Sequence, residues 1–199
     1  MKIFATIVLT LLIFGGCSVN TPPVSEYRIN TKIQNKNFKE STCRDKSLKV
    51  VQAFSSSSLM SINMNYGIGL HKQYVFSQSQ WAESPNRAIT SEIVKYIKSI
   101  NLFKNVQISK SRTLNSVLLE TNIEDFMQYF SSDEKESYAN VSITLTLLSS
   151  KTNLYISSKT FKSKVKVENM NANSGVTALN RALENVLKES GEWLSDECK

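Results

Sequence analysis

The stretch Val141-Ser142-Ile143-Thr144-Leu145-Thr146-Leu147 decides what kind of domain this chain makes. Successive side chains of an extended chain point to opposite faces, so Val141, Ile143, Leu145 and Leu147 share one side and the hydroxyl residues the other. Such a segment is a strand with one face on a core and the other toward water. After it, Ser149 to Asn153 reads as a turn, and Leu154 to Val167 reads as a long returning strand. In that strand Phe161, Val165 and Val167 face one way and Lys162, Lys164 and Lys166 the other. A lysine row protects a sheet edge or forms a solvated surface; the alternative is contact with lipid head groups or an acidic partner. Before the quoted stretch, Ser131 to Glu136 is a charged turn, and Ser116 to Phe130 is a strand with apolar side chains on both faces.

The first half of the chain repeats the theme. Tyr27, Ile29, Thr31 and Ile33 alternate with Arg28, Asn30 and Lys32 as a first strand, and Gln34 to Lys46 reads as a loop holding Cys43. Leu48, Val50 and Val51 start a second strand, which the serines Ser55 to Ser58 break. From Leu59 the two-residue period returns, with Met60, Ile62, Met64 and Tyr66 on the apolar face. Gly67-Ile68-Gly69 makes a turn or bulge, and Tyr74-Val75-Phe76 closes an antiparallel hairpin. Ser84-Pro85 then marks a helix start, since serine can satisfy orphan amides and proline suits the first helical position. Ile89, Ile93, Ile97 and Ile100 form its apolar stripe to about Asn101, with Arg87, Glu92, Lys95 and Lys98 mostly outward. Leu102 to Val106 returns as a strand. A last helix starts at Asn173 or Ser174, its core stripe running through Val176, Leu179, Leu183, Val186, Leu187 and Leu194, with Trp193 near its end. Together these patterns predict an α+β domain: an antiparallel β-sheet with two α-helices packed on one face.

The N-terminus sets the compartment. Lys2 precedes an apolar run, Ile3 to Phe14, of about a dozen residues, which is signal-peptide length and short of the ~20 that span a bilayer. Gly15-Gly16-Cys17 ends it. Small residues before a cysteine resemble the bacterial lipobox, which implies cleavage before Cys17 and acylation of Cys17 by diacylglycerol and a further chain such as palmitate. An ordinary secretory signal or a single membrane helix is the alternative. The predicted layout is a signal peptide over 1–16, a lipidated tether over 17–23 stiffened by Pro22-Pro23, and one periplasmic domain over 24–199. Ser18, where aspartate is absent, resembles the outer-membrane sorting signal of Gram-negative lipoproteins. In that oxidising compartment, lipidation removes Cys17 from the thiol count and leaves Cys43 and Cys198 as a pair. A Cys43 to Cys198 disulfide is expected, with two free or intermolecular thiols as the alternative.

Composition and motifs exclude more than they assign. The formal charge of +7 could suggest nucleic acid, yet export removes that partner and the basic residues are scattered. A solvated basic surface, or attraction to anionic phospholipid head groups, accounts for it. His71 stands alone in a hairpin turn, and Cys43 and Cys198 lack the clustered spacing of a zinc site. No nucleophile elbow, Walker motif or dinucleotide fingerprint occurs. Glu124-Asp125 and Glu134 with Glu136 are the carboxylate pairs, adjacent or in turns, and poor candidates for a general acid and base. No catalytic residue, metal or cofactor is assigned, and a non-enzyme is expected.

One segment resembles a known family. The strand through Tyr74 to Gln80, then Trp81-Ala82-Glu83-Ser84-Pro85, the isoleucine-striped helix, and Asn101-Leu102-Phe103-Lys104-Asn105-Val106 are similar to the ABC-type transport auxiliary lipoprotein component family. The likeness spans roughly Glu26 to Trp193, with Tyr27-Arg28-Ile29 where the family has its first strand. It implies a non-catalytic lipoprotein on the periplasmic face of the outer membrane. Its implied partners are an MCE-domain protein and an ABC permease and ATPase, with phospholipid or another lipid as cargo. A structural or assembly lipoprotein of another outer-membrane machine is the competing expectation.

Overall fold

The computed structural model describes residues 22–32, 38, 41–112 and 114–199. The signal segment, Cys17 and the start of the tether lie outside the described residues, as do Ile33 and part of the loop after it. The sheet is organised around strand β7 (Val117–Phe130). Val117, Leu119, Thr121, Ile123, Phe126, Gln128 and Phe130 are buried, and the residues between them are not. Along one side β7 pairs antiparallel with β8 (Ser137–Ser149), which pairs antiparallel with the edge strand β9 (Tyr155–Lys166). Along its other side three short strands follow one another, all parallel to it. They are β2 (Ser47–Val50) near its start, β3 (Phe54–Ser55) at its middle and β4 (Asn63–Ile68) at its end. Outside them lie β6 (Asn105–Ile108), parallel to β2, and β5 (Lys72–Trp81), antiparallel to β4. Strand β1 (Ser25–Tyr27) adds to β5 in parallel.

The sheet is therefore mixed, and the expectation of an antiparallel sheet is corrected. Alternation reports which face of a strand is buried and carries no information about the direction of its neighbour. Direction is set by the connections. Tight turns make β4–β5, β7–β8 and β8–β9 antiparallel, while the helix between β5 and β6 returns the chain beside β2 in parallel.

Helix α1 (Pro85–Ser99) buries Ile89, Ile93 and Ile97 against β6 and β7. Helix α2 (Ala172–Glu197) buries Val176, Leu179, Leu183, Val186, Leu187 and Leu194 beneath β8 and β9. Two local expectations change. Ser84 occupies the N-cap of α1, but its hydroxyl makes no capping bond; its carbonyl accepts from Arg87 N and Ala88 N instead. The cap of α2 is Asn171, whose side chain accepts from Ser174 N at 2.9 Å, so the helix starts before Asn173.

Close approach of the helices to their neighbours depends on two glycines. A Cβ on Gly175 would stand 1.9 Å from Gln128 Oε1, and one on Gly191 would stand 2.3 Å from the Tyr96 hydroxyl. Gln128 is buried and donates Nε2 to Ser137 Oγ at 2.9 Å, so it fills the space that Gly175 leaves. Burial, followed by the nearby Glu192 carboxylate, pushes the Tyr96 phenol up to about 12.

The segment after β1 departs most from the patterning. Residues 28–32 belong to no strand, although Ile29 and Thr31 are buried as the alternation requires. They form a strap held by both helices. From α1, Glu92 accepts from Thr31 N at 2.9 Å and from the Thr31 hydroxyl. From α2, Asn180 Oδ1 accepts from Asn30 N at 2.8 Å and Glu184 Oε1 from Lys32 N at 2.5 Å. Any extended segment lying on a core alternates its burial, so the period was read correctly and the partner was not. Glu92, expected outward, is buried by this strap.

Candidate interaction surfaces

Among the described residues, no group of three or more His, Cys, Asp or Glu is placed to hold a metal ion. His71 sits in the turn between β4 and β5. A bulge between Ile123 and Asp125 puts Glu124 and Asp125 together on the helix-free face, because both flanking residues, Ile123 and Phe126, point into the core. Glu124 accepts from Thr144 Oγ1 at 2.6 Å and Ser142 Oγ at 2.7 Å, and these bonds hold its carboxyl below the ordinary value. Asp125 is pushed up by burial, which outweighs its bonds from Asn140 Nδ2 at 2.7 Å and Tyr129 OH at 2.9 Å. The pair is a node in a cross-strand polar network. It continues through Thr144 with Thr160 and Thr146 with Ser158. Lys164 Nζ lies 3.6 Å over the Tyr138 ring, and Tyr138 stacks on Tyr129. Its groups satisfy one another, which suits a stable outer sheet face. Glu134 and Glu136 lie in the β7–β8 turn.

The two edges of the sheet differ in chemistry. Lys159, Lys162, Lys164 and Lys166 line β9, which pairs with β8 alone. Charged side chains on an edge discourage pairing with another chain. On β5, strand β1 covers only Ser79 to Trp81 and leaves the uncharged Gln73-Tyr74-Val75-Phe76-Ser77-Gln78 beyond it.

Just past the end of β1, Arg28, Ile29, Met60, Ile62 and Arg87 line an open groove of about 710 Å³. Arg87 pairs with Glu83 there at 3.4 Å. The sequence put Met60 and Ile62 on a core face, but Ser57–Leu59 forms a 3-10 turn and β4 begins only at Asn63, so both are exposed. Further from β1, Leu114, Leu154, Tyr155 and Ile156 are exposed at the opposite end of the sheet. Sequence reasoning did not single them out; the available signal was a run of apolar residues directly beside a turn.

Cys43 and Cys198 are brought together and joined by a disulfide, with Cα atoms 5.4 Å apart. Thr42 N and Oγ1 both donate to Cys198 O beside it, at 2.8 and 2.9 Å. Cys17 lies outside the described residues. Among the described residues, no helix is long and apolar enough to cross a membrane.

Among the described residues the arrangement offers surfaces, an edge and a staple. The profile of the ABC-type transport auxiliary lipoprotein component family matches residues 27–189. The chain belongs to that family. It is an auxiliary lipoprotein component of ABC-type transport, a description that implies membrane anchoring by lipid, association with a transport system and a non-catalytic role. Among solved structures, protein XCC0632 from Xanthomonas campestris, assigned to family DUF330, shares the fold at TM-score 0.76 and 14% identity over 87% of this chain and 96% of that one. An uncharacterized protein follows at TM-score 0.67 and 14% identity, over 87% and 99% of the two chains. The hypothetical protein CT253 from Chlamydia trachomatis stands at TM-score 0.50 and 9% identity, over 77% and 98%. No curated protein matches the chain significantly. At these identities the structural likeness is one of fold.

Proposed function

We propose that this auxiliary lipoprotein is held in the outer membrane through an acylated Cys17. There it serves, without catalysis, as the docking component of an MCE-type ABC transporter that moves lipid across the envelope. The observation that carries the reading is the family match, which spans most of the folded domain. The Cys43–Cys198 disulfide supports an oxidising compartment outside the cytosol. The short tether supports a position close to the membrane, since the residues from Cys17 to Pro23 reach at most ~20 Å. Confinement to a membrane raises the effective concentration of the domain near any partner that reaches the same surface, so a modest interface suffices.

The test is capture of the lipidated protein from crosslinked envelopes. Co-recovery of an MCE-domain or permease subunit is expected, together with a detergent-sensitivity defect on deletion that matches loss of the transporter. Recovery of a different outer-membrane machine, with no transporter phenotype, would move the protein to the assembly-lipoprotein reading. Mass spectrometry of the mature N-terminus checks the anchor separately: lipid on Cys17 is expected, and an unmodified peptide spanning Gly16 and Cys17 refutes it.

A further inference from the structure

The sheet has two unlike ends. At one, the β4–β5 turn meets the end of β7, with Gly69 N donating to Phe130 O at 3.0 Å. At the other, β2, β6 and β7 begin: Ser116 N donates to Ser47 O at 2.9 Å and Lys104 N to Lys46 O at 3.0 Å. Strand β1 runs parallel to β5 and so antiparallel to β7, which means that the chain leading into β1 arrives from the Phe130 end. That end is the anchor pole. The Val117 end is the far pole.

The far pole carries an apolar patch. Register places Lys49, Leu118, Leu148 and Tyr155 in one row on the helix-free face. Leu154, Tyr155 and Ile156 are exposed beside that row. Leu114 is 93% exposed, and the bonds from Ser150 to Asn115 O and Ser116 O hold its loop against the β8–β9 turn. Basic residues gather at this pole: Lys49 in the row itself, Lys46 and Lys104 where β2 and β6 begin, Lys151 in the β8–β9 turn, and Lys159 and Lys199 beside Asp196; they outnumber the acids there, Asp45, Glu120, Asp196 and Glu197. A contiguous apolar surface with a charged rim is the anatomy of a protein interface.

We infer that the far-pole patch docks an acidic segment of the transport partner that presents apolar side chains; this rests on the docking reading given above. Charge complementarity selects an acidic partner, and the polarity of the chain selects a protein over the bilayer. Tyr27 pairs with Trp81, which packs on Phe126, so β1 lies level with Phe126. From there to Val117 the sheet descends roughly 30 Å. The tether from Cys17 to Ser25 spans at most ~28 Å when fully extended. With the strands standing on the membrane at the anchor pole, the patch is held roughly 30 Å beyond β1, and only a domain laid flat on the bilayer would bring it to lipid. The patch therefore faces away from the anchor, into the space where a transporter approaches. The Cys43–Cys198 bond sits at this same pole and fixes its backbone, which lowers the ordering cost of binding.

The experiment uses the full-length lipidated protein in cells, with a photo-crosslinking benzoylphenylalanine at Tyr155. A crosslink to a subunit of the ABC system, identified by mass spectrometry, is expected. The Leu114→Asp, Tyr155→Asp double variant should lower recovery of that subunit at least tenfold at unchanged melting temperature and unchanged anchored protein. A Lys104→Glu, Lys151→Glu variant should lower it in a salt-dependent way. Undiminished recovery with the double variant overturns the patch while leaving the docking reading intact. Failure of the unaltered protein to recover any transport subunit overturns both. A crosslink to a second copy, or double-variant-sensitive binding to phosphatidylglycerol vesicles in place of the subunit, overturns the assignment to a protein partner.

Discussion

Thr121 is fully buried on the core face of β7, and its hydroxyl has no hydrogen-bond partner among the described residues. A buried hydroxyl left unpaired is destabilising, so near-isosteric Thr121→Val should stabilise by about 1 kcal/mol, read as a rise of ~2–4 °C in Tm. Gly175 makes the opposite case. Alanine there would displace the Gln128 amide and its bond to Ser137, so Gly175→Ala should destabilise by roughly 1–3 kcal/mol in urea melts. Tyr96 gives a pH signature. Its folded value, about 12, lies above the ordinary phenol near 10, so between those pH values the unfolded chain sheds a proton that the folded one keeps. The urea midpoint should hold up to about pH 10 and fall as pH rises toward 12, and Tyr96→Phe should flatten part of that fall. A constant midpoint from pH 9 to 11.5 would refute the shift. Apolar side chains on both faces of this stretch kept the sequence from marking Thr121 as a core position, and nothing in it could show that the residue there lacks a partner. Glu92 was misjudged for a related reason: a carboxylate on a helix goes inward only when something brings it donors, and the Thr31 donors come from a distant part of the chain.

Among the elements, β7, β8, β9 and both helices were legible because each is long enough for its period to show on one strand or one helix. The short strands β1 and β3 were not, and β6 was expected about three residues early, because a few residues can match either template and their partners lie far away in sequence. The parallel pairings were hidden for the same reason. The strap of residues 28–32 is the element with the sharpest test. Glu92→Ala removes the acceptor of both Thr31 donors and leaves a buried N–H unpaired, a loss of about 1–3 kcal/mol. The consequence is local release: trypsin should cut after Arg28 and Lys32 at least several-fold faster, while cuts in α2 stay slow. Unaltered cleavage at those two sites would show that the strap is held by other contacts. The groups that form the docking patch were the least legible of all, since Leu114 and Leu154 have no period to mark them. They become a surface only when the turns that hold them meet at one end of the sheet.

For the whole molecule, the disulfide closes a span of 155 residues, from the loop before β2 to the end of α2. In the chain-entropy model so long a loop stabilises by up to roughly 5 kcal/mol, with measured values often lower. Cys198→Ser should therefore lower Tm and raise amide exchange in the last turns of α2, and non-reducing peptide mapping should find Cys43 joined to Cys198 in the unaltered protein. The same bond also governs how the chain responds to force. In the arrangement proposed above, an anchor at Cys17 and a partner docked at the far pole would pull on opposite poles, and tension applied ahead of β1 enters the domain through that strand. Because β1 lies along β5 in parallel, the pull acts in shear on its register and reaches the strap bonds to Glu92, Asn180 and Glu184 only after that strand gives. With the load applied between the N-terminal segment and the C-terminus, unravelling runs to Cys43 and stops, because that residue is bonded to the far end of the chain. The slack available is the contour between β1 and the bond, on the order of 60 Å, after which the sheet and helices carry no further peeling. An optical-trap extension trace should show one short, early step in the oxidised protein, and long continued lengthening once the bond is reduced. The staple thus sets a fixed travel for the N-terminal segment under tension between the two ends of the chain.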